Sequence, residues 1–182
     1  MFTYLKKRKA RALYQAVITQ ARDPVYYTDM QVPDTLDGRY EMLCLVSAMV
    51  MIRLKDFGSA GDSLAQSLFD MIFKHAERSL REMGIGDMGI PRRMKKMMQG
   101  FNGRARALDK ALASPKPQSE LKAYLSRNLY ASNADAQPGV IDEMSRVCQS
   151  YAESLRKLSY ETFLSGDLPD MTLQIRSRNN AG

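Results

Sequence analysis

PRRMKKMMQGFNGRARALDKALA, running from Pro91 to Ala113, decides the reading of this chain. At about 100° per residue, Ile90, Met94, Met97, Met98, Phe101, Ala105, Leu108 and Leu112 gather on one side. Arg92, Arg93, Lys95, Lys96, Arg106 and Lys110 gather on the other. A strand, with its period of two, would mix the two sets. The segment is therefore a basic amphipathic helix, and a helix of this kind needs other helices to cover its apolar side.

Those helices are legible on both sides of it. Upstream, a glycine-rich turn from Gly84 to Gly89 follows a helix expected from Ser59 or Asp62 to Met83, with Leu64, Leu68, Met71, Ile72, Ala76, Leu80 and Met83 as its stripe. A helix capped by Asp34 or Asp37 and running to Lys55 is apolar nearly all round, which predicts the central, most buried element. The first helix spans Lys6 to Arg22 and stops before Pro24, and Val25 to Thr35 reads as irregular. Downstream, Ser119 to Tyr130 and Val140 to Leu164 complete the helices. The tail after Gly166 either frays or forms a short strand, since Met171 to Ile175 alternates. The expected fold is all-α: one domain over 1–182, a single bundle of about six helices, with C-terminal helices in 117–165 and a tail in 166–182.

Charge is placed unevenly. The net charge is +7, yet Lys6, Lys7, Arg8, Lys9, Arg11 and Arg22 stand in the first 22 residues without an acid, and Asp109 alone offsets the cations of 92–110. The rest of the chain is net acidic. Two local patches point to phosphate-bearing partners: a ribosome or an anionic membrane. Cys44 and Cys148 sit in apolar helical runs and make no disulfide framework, so a reducing compartment is expected. The start, Met1 to Leu5 and then the basic cluster, lacks the order of a secretory signal, and the apolar run Met42–Ile52 is shorter than the ~20 residues of a membrane span.

Enzyme patterns fail in turn. His75 is the only histidine, so a histidine-based metal site lacks partners, and a packed or hydrogen-bonded histidine is expected. The Gly84–Gly89 turn follows a helix and lacks the Lys-Ser/Thr ending of a phosphate loop. No catalytic residue, metal, cofactor or small-molecule substrate is expected. Met94, Met97, Met98 and Phe101 admit two readings: core filling, or an adaptable surface for apolar client segments, because unbranched methionine repacks around different partners.

Three runs carry a resemblance. They are Asp34-Thr35-Leu36-Asp37-Gly38-Arg39-Tyr40-Glu41-Met42, then Leu80-Arg81-Glu82-Met83-Gly84-Ile85-Gly86-Asp87, then Phe101-Asn102-Gly103-Arg104, with Leu68-Phe69-Asp70 between the first two. Over residues 10–113 the chain resembles the ubiquinol–cytochrome c chaperone family, the cytochrome b assembly chaperones of complex III, in its bacterial branch. The resemblance implies an all-helical chaperone for a newly made or unassembled membrane subunit, cytochrome b, with a small partner protein in the mitochondrial relatives. With no separable targeting segment before the resembling region, a bacterial cytoplasmic protein is expected, at the inner face of the inner membrane. Two rivals use the same cations without such a client: a peripheral membrane-binding protein anchored by Phe2, Tyr4 and Leu5, and a ribosome- or RNA-associated factor.

Overall fold

A computed structural model describes residues 2–133 and 135–179, without the side chains of 2–9, 174, 178 and 179. In chain order the helices are α1 (Phe2–Ala21), α2 (Val25–Thr28), α3 (Leu36–Leu54), α4 (Gly58–Glu82), α5 (Ile90–Leu112), α6 (Pro117–Arg127), α7 (Pro138–Arg156), α8 (Tyr160–Ser165) and α9 (Leu173–Asn179). No strand occurs among the described residues.

The all-round apolar segment is indeed the centre. In α3, Met42 and every residue from Cys44 to Val50 are buried, because α1, α4, α5 and α7 all pack on it. Leu13, Val17 and Ala21 of α1, Leu68, Ile72 and Phe73 of α4, Phe101 and Leu108 of α5, and Met144, Val147 and Cys148 of α7 close one continuous core around it. An aromatic cluster ties α4 to α5: Phe101 meets Phe69 and Phe73 edge-on, with centroids at 5.6 and 5.7 Å.

Five local expectations need correction. The stretch after α1 is not wholly irregular: Asp23 accepts a hydrogen bond from the Val25 N–H (3.0 Å), and the short α2 buries Tyr26 completely. Neither Asp34 nor Asp37 caps α3. Thr35 does, its hydroxyl accepting from the Gly38 N–H at 3.1 Å, while Asp34 turns outward to pair with Arg39. Nor does α4 wait for a cap at Ser59 or Asp62. A 3-10 turn, Lys55–Phe57, leads straight into Gly58, whose φ of +59° makes the corner.

The expected helix Val140–Leu164 is two helices. The chain breaks at Lys157–Ser159, and Ser159 starts α8 by accepting from the Thr162 N–H. The reason lies in α3. Arg53 donates to the carbonyls of Leu155 (3.1 Å), Arg156 (3.3 Å) and Leu158 (3.1 Å), so the carbonyls around the break receive a donor from a distant element. The tail is helical, not a strand. Asp170 accepts from the Thr172 N–H and hydroxyl, and Met171 and Ile175, four apart, are buried while Leu173 points outward. Among the described residues no strand edge is at hand to pair it, and one helical turn buries two apolar side chains. An ion pair from Arg176 to Asp23 ties it to the end of α1.

Candidate functional site

The corner joining α4 to α5 gathers most of the sequence candidates. Here α4 ends in a paired hydrogen-bond closure: the Gly84 N–H donates to the Arg81 carbonyl (3.0 Å) and the Ile85 N–H to the Leu80 carbonyl (3.2 Å). This pattern needs a residue in the left-handed region, and Gly84 supplies it with φ +78°. Arg81 then bridges Glu77, at 2.9 Å, and Asp87, which clamps the loop against the helix that precedes it. A tight turn follows, the Gly89 N–H donating to the Gly86 carbonyl at 2.8 Å, and Met88 stands in it with 97% of its surface exposed. Met83, at the end of α4, is 54% exposed, whereas Leu80 is buried and Glu82 is exposed. Thus Leu80, Arg81 and Gly84 of the Leu-Arg-Glu-Met-Gly run build the corner, and Met83 decorates it. Replacing Gly84 by Ala is expected to cost about 1 kcal/mol, and by Asn less, because only the left-handed backbone is strained and no neighbour lies near the added carbon. Urea denaturation of the two variants measures it.

From this corner α5 projects the two faces read in the sequence. Arg92, Arg93, Lys95 and Lys96 are all exposed, and none forms an ion pair with a described carboxylate. Met94, Met97 and Met98 are half-buried and lie against the core, and Phe101 is fully within it. The structure thus separates residues the sequence left together: Phe101 packs, and the three methionines form a border with one flank in the core and one in solvent. Arg104 turns inward, pairing with the half-buried Glu41 of α3 at 2.5 Å. Burial raises the Glu41 pKa, and Arg104 opposes that shift.

The Asp37–Gly38–Arg39 run lies apart from α4–α5 in chain and serves the start of α3. Gly38 is buried against Pro33, Asp37 is exposed in the first turn, and Arg39 pairs with Asp34 (2.6 Å) and lies over the Tyr27 ring at 5.8 Å. Arg11 is exposed on α1, while the side chains of Lys6, Lys7, Arg8 and Lys9, like those of Phe2, Tyr4 and Leu5, lie outside the described residues. His75 is exposed, its ring tilted against Tyr14 at 6.3 Å. Cys44 and Cys148 are buried free thiols, each pushed up to about 12 chiefly by burial, so neither is a thiolate at neutral pH. Among the described residues no three His, Cys, Asp or Glu side chains converge as a metal site, and no helix is long and apolar enough to cross a membrane.

Sequence reasoning missed Met88, which no periodicity marks because it sits in a turn. Its signal was there: a large apolar residue among Gly, Asp and Gly, where turn chemistry favours small polar ones.

No curated protein matches the chain. A solved structure described as the crystal structure of the Cbp3 homolog from Brucella abortus superimposes with a TM-score of 0.82 at 34% identity, over 94% of each chain. The family model described as Ubiquinol-cytochrome C chaperone matches residues 28–171. That match runs past the stretch 10–113 that carries the quoted motifs, through α6, α7 and α8. With more than half its length matched by that model and this structure alongside, the chain belongs to the ubiquinol–cytochrome c chaperone family.

Proposed function

We propose that this chain is a non-catalytic assembly chaperone that holds newly made cytochrome b before ubiquinol–cytochrome c reductase is assembled. The family match over residues 28–171 carries the reading. The surface chemistry supports it. A holder of apolar helices needs apolar groups that conform to different segments, and methionine has the flexible, polarizable side chain for that. Met94, Met97 and Met98, half-buried on α5, supply that border beside the core. Phe101 belongs to the core and does not contact the client.

The chain is placed in the bacterial cytoplasm at the inner face of the membrane, where such a client is inserted. A small partner protein joins it, as the mitochondrial relatives' partner does, and the exposed cations contact ribosome or membrane. No metal, cofactor or small-molecule substrate takes part.

Gene deletion tests the client. Spectroscopic haem b and assembled complex III are expected to fall severalfold, with general translation and other haem proteins near normal, and re-expression restores both. Unchanged cytochrome b and reductase activity in the deletion strain sinks the reading. A loss spread over many membrane proteins favours a ribosome-associated factor without a specific client.

A further inference from the structure

Two features of the α4–α5 corner have no role in holding the fold together. One is Met88, carried 97% exposed in the 86–89 turn. The other is the group Arg92, Arg93, Lys95 and Lys96, exposed without ion pairs to described carboxylates on the first turns of α5. They are neighbours in chain, and Arg81 pairs with both Glu77 and Asp87 at the base of the turn that carries Met88.

We propose that this corner is a membrane-docking surface: Met88, aided by Met83, enters the interfacial layer of an anionic phospholipid bilayer while Arg92, Arg93, Lys95 and Lys96 take the lipid phosphates. The inference rests on the reading above only for the choice of a membrane face, and names the residues that meet it.

Charge complementarity and the apolar tip together select this partner. An RNA surface would engage the four cations but gives no gain for a fully exposed methionine at their edge. An apolar client helix would accept the methionine but would strip water from four uncompensated charges. A second copy of the same corner would set like charges against each other. A bilayer rich in anionic headgroups satisfies both features at one depth, with cations at the phosphates and the apolar side chain just beneath. On α5 the cations occupy one side and Met94, Met97 and Met98 the other, so lipid contact leaves the methionine border free.

The chain contains no tryptophan, so Met88→Trp creates a single indole reporter in the turn. With vesicles of mixed phosphatidylglycerol and phosphatidylcholine, its emission is expected to shift to the blue and become shielded from acrylamide. With pure phosphatidylcholine it stays as in buffer. Sedimentation with the mixed vesicles is expected to weaken roughly tenfold as salt is raised, since the phosphate contacts are screened. Reversing Arg92, Arg93, Lys95 and Lys96 to Glu, with unchanged circular dichroism, lowers vesicle affinity by roughly 100-fold or more. Met88→Ser lowers it by roughly fivefold and leaves the salt dependence alone.

An indole that stays in water on bound vesicles overturns the proposal, as does a quadruple variant that binds them normally. Binding to ribosomes but not to vesicles overturns it in favour of RNA. The client reading fails separately: vesicle binding as described, in a protein whose deletion leaves cytochrome b intact, keeps this inference and ends that one.

Discussion

Gly38→Ala is expected to lower stability by about 4 kcal/mol, with a fall in melting temperature of roughly 10 °C for a chain of this size. A Cβ built on Gly38 would stand 2.0 Å from the Pro33 carbonyl oxygen and 2.9 Å from its carbon, so backbone, not a flexible side chain, blocks it. The chain before α3 cannot retreat without loss, because Val32 beside it is buried in the core. Any shift also lengthens the bond from the Gly38 N–H to Thr35, the cap of α3, whose loss alone costs about 1 kcal/mol. Gly103→Ala is the control. That residue is exposed in the middle of α5 with open space around it, so the substitution should stabilise by up to about 1 kcal/mol. Denaturant melts of both variants check the pair, and a Gly38→Ala protein as stable as the parent would mean that the close approach to Pro33 relaxes freely.

Arg104→Met is expected to cost about 3 kcal/mol and to strengthen part of the pH dependence. Its partner, Glu41, keeps only 14% of its side chain exposed, and Arg104 keeps 28%. Removing the cation strands a largely buried carboxylate beside Tyr40 and Cys44, and such a stranded charge costs more than the pair ever returns. The sign follows from the direction of the shift. Burial already holds the Glu41 pKa above its ordinary value, although Arg104 pulls it down. A carboxyl raised in the fold favours folding while protonated, so its contribution is present below the unfolded value and is lost as pH rises through the folded one. Without Arg104 the folded value climbs further and the window widens upward. The variant should therefore gain stability relative to wild type as pH falls from 7 towards 5. Glu41→Gln in the same background should recover most of the loss, and the double-mutant cycle gives the coupling. A loss no greater than that of the exposed Arg93→Met would show that the pair contributes nothing.

Much of this protein was readable along the chain because its information is local in period. The apolar stripe of α5 and the all-round apolar centre of α3 each specify which side must be covered, and the helices form where the stripes predict. The end of α4 was equally plain, since a glycine after the last apolar position needs no tertiary partner to stop a helix. The resemblance rested on runs whose residues turn out to serve these local tasks. Leu80 and Gly84 close α4, Gly38 admits Pro33, and Arg39 and Arg81 brace the loops beside them.

What stayed illegible depends on partners far away in sequence. The sign of a charge does not tell whether it faces solvent: Arg92 and Arg104 look alike in α5, yet the first is exposed and unpaired with any described acid while the second reaches Glu41, 63 residues away. The break between α7 and α8 was invisible for the same reason, since the carbonyls around it receive a donor from Arg53, about 100 residues upstream. Alternation at Met171–Ile175 suggested a strand, but a strand needs a neighbour to pair with, and only the assembled bundle decides whether one exists. By itself, then, the sequence determined the helical class, the central helix, the basic face and the family, all properties of period and of motifs. The tertiary structure alone decided which helix ends are capped from a distance, which cations are spent inside the fold, and that Met88 stands in the open, because each of these is settled by what packs beside it.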